Sequence, residues 1–204
     1  MKYVKLTVNM TLDEIGKSKL RDKKANFTRA LLLDSAIELL QEYAISDLSF
    51  KQISENAGVS ERTMFRYFES RAQFLDELTV KMYALLQVPT IPDDSQQLFV
   101  YLEALYRQFE QNPKLVEMLL ASDFLSRILQ TTAHNRFLEI KALLIRDYPH
   151  CPEDLITMTA ANLRYIMSAT SWRYYRANFG FDPATSIKSA SILVQQSLSL
   201  LDHI

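Results

Sequence analysis

The sequence predicts an all-α protein, and three observations support this fold class. Apolar residues recur at helical spacing along most of the chain, so about nine helices can be drawn after residue 25 without a competing strand. The chain has only three glycines, and its six prolines fall near the ends of these segments. A hydrophobic share of 48% is ordinary for a globular protein, and 204 residues allow one large or two small domains.

The bounds of the expected helices follow from this periodicity and from the prolines between the segments. Pro89 and Pro92, followed by Asp93 and Asp94, interrupt the pattern most strongly and mark the best domain boundary. The expected helices cover about residues 27–43, two short segments within 50–68, and then about 71–87, 96–111, 115–131, 135–148, 153–179 and 184–204.

Residues 49–58 carry the signals of a short helix that ends in a tight turn. Ser49 precedes a run with apolar periodicity and Gln52 follows three residues later, a capping-box pattern for a helix start. Gly58 then supplies the left-handed backbone conformation that only glycine adopts cheaply. One apolar face is expected from Phe50, Ile53 and Ala57.

A second short helix is expected directly after this turn. Ser60 is its candidate N-cap, and Met64 with Phe68 forms an apolar pair at i, i+4 spacing. A short helix with a buried back and a basic, polar outer face suits the major groove of DNA. On these residues alone, the alternative is an ordinary helical hairpin with a solvated face. The side chains expected to face outward are Glu61, Arg62, Thr63, Arg66 and Tyr67.

Residues 27–78, about a quarter of the chain, resemble the tetracycline-repressor (TetR/AcrR) family of bacterial transcription regulators. Members of this family typically have an alanine-rich first helix followed by the pattern IAxxAGVSxxTxYxxFxxKxxL. The matching residues are Ile53, Ala57, Gly58, Val59, Ser60, Thr63, Phe68 and Leu75, the last of them one place beyond the usual leucine, where Phe74 stands.

Four positions depart from the family pattern. Ser54 replaces the usual alanine after the first isoleucine, and Ala44 replaces the usual glycine between the first two helices. Phe65 replaces the usual tyrosine and has no hydroxyl for a phosphate, a group that Tyr67 could supply instead. Arg71 replaces the usual lysine at the start of the fourth helix. These departures affect individual contacts and not the module.

The resemblance implies which residues contact DNA. Lys51 and Glu61 match family positions that often touch base edges, and Thr63, Tyr67 and Arg71 match positions that hold the DNA backbone. We therefore expect double-stranded DNA as a partner. The expected contact residues are Ser49, Lys51, Ser60, Glu61, Arg62, Thr63, Phe65, Arg66, Tyr67 and Arg71.

The charge distribution agrees with a local DNA-binding surface. The net charge of the whole chain is −1, but residues 17–30 carry six basic side chains and one acidic one. A local basic footprint, rather than the global charge, is the electrostatic signal for nucleic acid. This run is either a solvated tail or an arm that reaches DNA. Residues 3–10 alternate in polarity, as a short strand would, but a flexible arm is the preferred interpretation.

Four regions are expected along the chain. Residues 1–25 form a basic, flexible arm, and residues 26–70 form the helix-turn-helix DNA-binding domain. Residues 71–94 form a connecting helix and linker, and residues 95–204 form the regulatory and dimerisation domain.

The sequence gives no support to an enzyme, a metal site or a cofactor. His134, His150 and His203 lack metal-ligand spacing, and three glycines leave none for a phosphate-binding loop. The single cysteine, Cys151, fits a cytoplasmic protein; an ordinary loop cysteine is preferred there over a thiol sensor. No signal peptide and no apolar run of about 18 residues is present, so no membrane partner is expected.

The last expected helix predicts a homodimer. Its apolar residues span roughly 160° of the helix circumference, whereas a helix that covers only its own core needs roughly 100°. The alternative is a helix buried deep in its own lobe. In the family, the two C-terminal helices of each subunit commonly form the dimer interface. The expected interface residues are Ile187, Val194, Leu198 and Leu201.

The family also implies a small-molecule effector pocket in the C-terminal lobe, which is rich in aromatic residues and methionine. Arg164, in mid-helix, could face water, pair across the dimer or hold an anionic ligand, in that order of preference. The candidate pocket residues are Tyr106, Phe109, Phe124, Phe137, Asn162, Arg164, Thr170 and Trp172.

The expected function is therefore sequence-specific transcriptional regulation. The protein is expected to repress transcription from a palindromic operator and to be released by a small-molecule effector. The alternative is a DNA-bound regulator or architectural protein that a protein partner controls, without a pocket. A cavity on the order of a few hundred Å³ would favour the first, and a fully packed lobe the second.

Overall fold

The computed structural model describes the backbone of residues 12–203 and the side chains of residues 22–203, and this part of the chain is all-α, as predicted. It divides into two compact units, the first ending at Arg71 and the second beginning at Ala72. The helices are α1 (Leu12–Leu39), α2 (Phe50–Asn56), α3 (Glu61–Tyr67), α4 (Arg71–Leu85), α5 (Leu98–Gln111), α6 (Pro113–Leu119), α7 (Ser122–Gln130), α8 (Thr132–Asp147), α9 (Glu153–Ile166), α10 (Ala169–Arg173) and α11 (Pro183–Asp202).

The first unit packs α1, α2 and α3 around a small apolar core. Leu32 and Ala36 of α1, Ile53 of α2, and Met64 and Phe68 at the back of α3 are all inaccessible to solvent. These residues recur at helical spacing, so each helix contributes one apolar stripe to the same interior. Burying the back of α3 in this way leaves its opposite face in solvent.

The first helix begins earlier than the sequence predicted. It starts at Leu12, whereas the periodicity placed its start near residue 27. The expectation of a flexible arm over residues 1–25 is therefore wrong for residues 12–25, which are helical. Residues 1–11, where the arm or short strand was also expected, lie outside the described residues. Lys23 and Lys24 are exposed on this helix.

Two of the predicted helices are each divided in the second unit. The segment expected at 115–131 ends at Leu119 and resumes at Ser122, and neither glycine nor proline marks the break. The segment expected at 153–179 ends at Ile166, because Ser168 leaves the helix and caps α10 by accepting from the Ser171 amide. A π-helical turn follows over residues 174–178.

The core of the second unit is built by α5, α8, α9 and α11, which pack against one another. Tyr106 of α5 is 1% exposed, and its hydroxyl donates to the Ile166 carbonyl at 2.9 Å. Burial raises the pKa of this phenol above its ordinary value. Trp172 is buried nearby, and its indole nitrogen donates to Glu110 at 2.8 Å. Phe124 of α7 is also a core residue.

Helix α11 has one face in the core of its own unit and another in solvent. Val194, Leu198 and Leu201 are 0–5% exposed within the monomer. Their assignment to a dimer interface is wrong, because these side chains already fill the interior of their own subunit. The exposed apolar residues of the same helix include Leu193 and Leu200, which are 40% and 53% exposed.

Candidate nucleic-acid interface and interior cavity

The turn between α2 and α3 has the geometry that its sequence predicts. The Ser49 side chain accepts from the Gln52 amide, and the Gln52 side chain accepts from the Ser49 amide, which completes the capping box. Gly58 has φ +67°, and the Val59 amide donates to the Ser54 carbonyl at 2.9 Å. This pattern is a Schellman motif, which ends α2 and turns the chain into α3.

Helix α3 exposes most of its predicted DNA-contact residues to solvent. Glu61, Arg62, Phe65 and Arg66 are exposed, whereas Thr63 is partly buried. The Ser60 side chain accepts from the Thr63 amide at 3.2 Å and thereby fixes the first turn of the helix. The exposed face of α3 is therefore basic, polar and aromatic, whereas the opposite face is apolar and buried in the core of the first unit.

Two contacts orient side chains on this face. The Arg66 guanidinium donates to the Tyr67 hydroxyl at 3.2 Å and lies 4.9 Å from the centroid of its ring. Phe65, which replaces the usual tyrosine, is 57% exposed and packs edge-on against Phe50 at 5.5 Å between ring centroids. Tyr67 carries a hydroxyl but points to a different side of α3 from Phe65, so its replacement of the missing hydroxyl stays a prediction.

Ser54, the departure from the usual alanine, fits its buried position. Its hydroxyl donates to the Phe50 carbonyl one turn earlier, at 2.7 Å, so the buried polar group is satisfied. A second buried serine, Ser35 of α1, donates to the Ile53 carbonyl at 3.0 Å and accepts from Asn56 at 2.9 Å. This network joins α1 to α2 and holds the helix-turn-helix in place.

Arg71 has a structural role that the sequence did not predict. Its guanidinium donates to the carbonyl oxygens of Leu48, at 2.7 Å, and of Ile45. Both belong to the connection between α1 and α2, immediately before the cap residue Ser49. Arg71 therefore positions the start of α2, and the predicted contact with a phosphate stays a prediction.

The predicted DNA-contact residues thus fall into three groups. Ser49 and Ser60 use their side chains as helix caps, and Arg71 is engaged by carbonyl groups. Lys51, on the exposed surface of α2, lies 3.9 Å from Glu55, a surface ion pair of little strength. The remaining predicted residues lie on α3, as described above.

The second unit contains a mostly apolar cavity of about 80 Å³. Three of the predicted pocket residues line it: Phe109, Arg164 and Thr170. The other five lie outside this lining, and their contact with an effector stays a prediction. Tyr106, Phe124 and Trp172 are core residues, Asn162 is exposed on the outer face of α9, and Phe137 is half-buried.

Four polar residues of the cavity were missed in the sequence, and one of them is Ser168. Tyr83, Tyr101 and Arg136 line it together with Arg164. The sequence did contain a signal for Arg136. It follows Ala133 by three residues and precedes Ile140 by four, and this helical spacing places a cation on the buried stripe of α8. Its guanidinium donates to the Tyr83 hydroxyl at 2.9 Å.

The described residues offer neither a metal-binding cluster nor a membrane-spanning helix. Within the described residues, no group of three His, Cys, Asp or Glu side chains is placed to hold a metal ion. The same part of the chain has no helix with both the length and the apolar character that a bilayer crossing requires.

The capped turn, the exposed face of α3 and the separate helical unit define a DNA-binding transcription regulator of the helix-turn-helix class. Residues 32–78 match the family model described as bacterial regulatory proteins, tetR family. Residues 32–78 are thus recognised as a tetR-type DNA-binding module, and the chain shares its overall fold with the solved regulators below. No curated protein sequence matches the chain significantly.

Solved structures share this fold at low sequence identity. NalD, the secondary repressor of the MexAB-OprM multidrug efflux pump in Pseudomonas aeruginosa, has a TM-score of 0.63 and 16% identity, covering 85% of this chain and 96% of its own. A transcriptional regulator from Rhodococcus sp. Rha1 has a TM-score of 0.52 and 17% identity, covering 86% and 96%. FadR of Thermus thermophilus, a repressor solved in complex with lauroyl-CoA, has a TM-score of 0.50 and 17% identity, covering 83% and 94%.

Proposed function

We propose that the protein is a cytoplasmic repressor that binds a twofold-symmetric operator as a homodimer and releases it when a small molecule occupies the second unit. The observation that carries the DNA-binding part is the exposed face of α3, with Arg62 and Arg66 in solvent above the buried Met64 and Phe68. Similar folds belong to repressors, including NalD and a FadR bound to lauroyl-CoA, and this supports the regulatory part.

The outer faces of α9 and α11 support the homodimer. Tyr165 of α9 and Leu193 and Leu200 of α11 line one open groove and are 40–56% exposed. Met158, seven residues before Tyr165, is also exposed, and Leu193 and Leu200 are seven residues apart as well. Each helix thus has an apolar stripe that its own subunit leaves uncovered, as an isologous helix-to-helix contact requires.

A double substitution tests this interface. Leu193→Glu combined with Leu200→Glu should yield a folded monomer and weaken operator binding by about 10²–10⁴-fold, since two linked DNA-binding domains gain that much from avidity. Val194→Glu is the matched control: it places a charge in the core of the monomer and should unfold the second unit. Sedimentation that shows a wild-type monomer at micromolar concentration would rule out the dimer.

Selection of genomic fragments tests the DNA-binding function. Purified protein mixed with sheared genomic DNA should retain a small set of fragments that share a symmetric motif, with half-sites about one helical turn apart or a multiple of it. Retention without any shared motif would contradict a sequence-specific regulator. The genes beside the motif would indicate what is regulated.

Helix α4 links the cavity, where the effector is proposed to bind, to the first unit along the chain. This helix begins at Arg71, the last residue of the first unit, and carries Tyr83 of the cavity lining. An effector lowers operator affinity only if it binds the DNA-free and DNA-bound states differently. A change in the position of Tyr83 on ligand binding is one such difference.

The size of the cavity favours a second candidate function. About 80 Å³ is far below the roughly 300–1,000 Å³ of a typical ligand pocket, so a larger effector requires the lining side chains to move. Control by a protein partner needs no such movement. A metabolite screen that shifts neither the melting temperature nor operator binding, while a partner protein releases the DNA, would decide for this second candidate.

A further inference from the structure

The cavity of the second unit contains a cation without a counter-charge. Arg164 of α9 is half-buried and lines the cavity. Within the described part of the chain, it has neither an ion pair with a carboxylate nor a hydrogen-bond acceptor. Burial, and to a smaller extent the positive charge of Arg136, lowers the pKa of the Arg164 guanidinium, although arginine remains charged at neutral pH.

A second cation on the same cavity adds to this excess of positive charge. Arg136 of α8 donates to the Tyr83 hydroxyl at 2.9 Å and to the Pro89 carbonyl at 3.1 Å. Both acceptors are neutral, and the described residues include no carboxylate paired with Arg136. Its guanidinium lies 5.3 Å from the centroid of the Tyr101 ring, which fixes its position over that ring.

An independent observation concerns the hydroxyl of Tyr101 itself. Tyr101 is 5% exposed and lines the cavity, yet its hydroxyl has no hydrogen-bond partner in the described structure. Leaving a buried hydroxyl unsatisfied costs about 1–3 kcal/mol. The orphaned donor and the unpaired Arg164 line the same cavity, so one acceptor bound there would satisfy both.

The other interpretations of Arg164 fit the structure less well. The outward face of α9 is occupied by the exposed Asn162 and Tyr165, whereas Arg164 lines the interior cavity with Arg136. A solvated arginine would not be half-buried beside a second cation. Pairing across a dimer would need Arg164 on that outward face.

We propose that this cavity binds an anion with an apolar body, whose carboxylate or phosphate head group is held by Arg164, Arg136 and the Tyr101 hydroxyl. Guanidinium groups bind both head groups through paired, charge-assisted hydrogen bonds. The apolar remainder of the ligand lies among the leucine and isoleucine side chains of the lining, of which Leu125 and Ile128 of α7 are partly buried and Leu129 is exposed. This inference rests on the proposed function, because it names the class of its effector.

Calorimetry with four ligands of equal chain length tests the charge requirement on the full-length protein. The ligands are octanoate, octyl phosphate, 1-octanol and octyltrimethylammonium, each below its micelle-forming concentration. We expect the anions to bind at least about tenfold more tightly than the alcohol, with no binding of the ammonium. A comparison of octanoate with octyl phosphate separates the two head groups. Equal affinity for all four ligands, or no binding of either anion, would overturn the proposal.

Substitution of Arg164 tests the residue. Arg164→Met should weaken anion binding about tenfold or more and leave octanol affinity within about twofold. Because it removes an uncompensated cation, the same variant should keep or raise the melting temperature of the ligand-free protein. A lower melting temperature with unchanged anion affinity would identify Arg164 as a purely structural residue and contradict the proposal.

Two further variants provide a control for the loss of an arginine and a test of the Tyr101 hydroxyl. Arg107→Met removes an exposed arginine of α5 that pairs with Glu103, and it should leave anion affinity unchanged. Tyr101→Phe removes the orphaned hydroxyl, is expected to fold normally, and should weaken anion binding severalfold. Unchanged anion affinity in Tyr101→Phe would remove this hydroxyl from the site.

Operator binding separates this inference from the proposed function. Failure of the ligand-free wild type to bind any specific DNA would contradict the proposed function but leave the calorimetric result intact. Anion binding that does not release operator DNA would support the site and contradict its role as the effector site.

Discussion

The two units of the molecule differ in how completely their buried polar side chains are hydrogen-bonded. In the first unit, the hydroxyls of Ser35 and Ser54 are buried and hydrogen-bonded, and the carbonyls before α2 are bound by Arg71. Within the described residues, the two buried side-chain atoms without a partner, the Tyr101 hydroxyl and Ser186 Oγ, both belong to the second unit. Ser186 lies on α11 outside the cavity lining, and nothing in the structure explains its lack of a partner.

Under the proposed function, this difference separates a DNA-binding surface that must be rigid from an effector site that must change. A reading helix has to present its side chains in one geometry, and satisfied polar networks provide that geometry. A sensor gains when a ligand supplies interactions that the empty state lacks, since only differential binding shifts an equilibrium. Unsatisfied polarity in the cavity is therefore useful, whereas in the reading head it would be a defect.

The largest expected effect is on Arg71. Arg71→Ala removes two charge-assisted hydrogen bonds to backbone carbonyls and should destabilise the first unit by about 3 kcal/mol. Arg71→Lys should lose most of this stability as well, because an ammonium does not reproduce the fork that reaches both carbonyls. Hydrogen exchange at residues 45–52 would measure the change. Wild-type protection in both variants would show that the contacts carry no energy.

The next effect separates base reading from structure. Arg62→Ala or Arg66→Ala should weaken operator binding by about 1–3 kcal/mol, if the side chain is bidentate to guanine, and leave folding unchanged. Competition assays against random DNA would show a loss of specificity. Arg107→Ala is a matched control, because it removes an equally exposed arginine from the second unit. Unchanged operator affinity in both α3 variants would remove them from the reading surface.

A smaller loss is expected within the first unit's buried network. Ser35→Ala leaves the Ile53 carbonyl and the Asn56 amide without this partner, although Asn56 also donates to Glu38 at 3.2 Å. The expected cost is about 1–2 kcal/mol, measured as a shift of the denaturant midpoint. An unchanged denaturant midpoint in Ser35→Ala would mean that water replaces the serine hydroxyl.

The smallest expected loss of stability is at the cavity. Tyr101→Phe should leave unchanged or raise the free energy of unfolding of the ligand-free protein, because the hydroxyl makes no hydrogen bond that could be lost and its unsatisfied burial is itself unfavourable. Comparing the change in the free energy of unfolding of Tyr101→Phe with that of Ser35→Ala tests whether the two hydroxyls differ in hydrogen bonding as the structure indicates. A loss as large as that of Ser35→Ala would mean that the Tyr101 hydroxyl is satisfied in solution.

The helix-turn-helix was predictable because its determinants are local. Ser49 with Gln52, Gly58 and Ser60 each act within four residues of their position, so their roles can be inferred without knowing the fold. The role of Arg71 was not predictable, since its acceptors lie 23 and 26 residues earlier in the chain. The early start of α1 was missed because residues 12–25 are polar and lack an apolar stripe.

The second unit was harder to predict because its site depends on which face of each helix is buried. The helical wheel of α11 showed a wide apolar arc, but it could not tell the core face from the outer face, and Val194 and Leu198 were placed on the wrong one. Aromatic residues were likewise taken as pocket candidates when most fill the core. Arg136 was missed, although its register with Ala133 and Ile140 placed it on the buried stripe of α8.

Adjacent positions on α11 are subject to different constraints. Val194 is fixed by the interior of its own subunit, whereas Leu193 and Leu200 face outward and are constrained only by what binds them. A bacterium that makes several regulators of this fold needs outward faces that do not cross-associate, because mixed dimers would carry two unlike reading heads to DNA. In the proposed homodimer, the outward positions of α11 could therefore change and alter the choice of partner without disturbing the core, whereas the inward positions are constrained by packing.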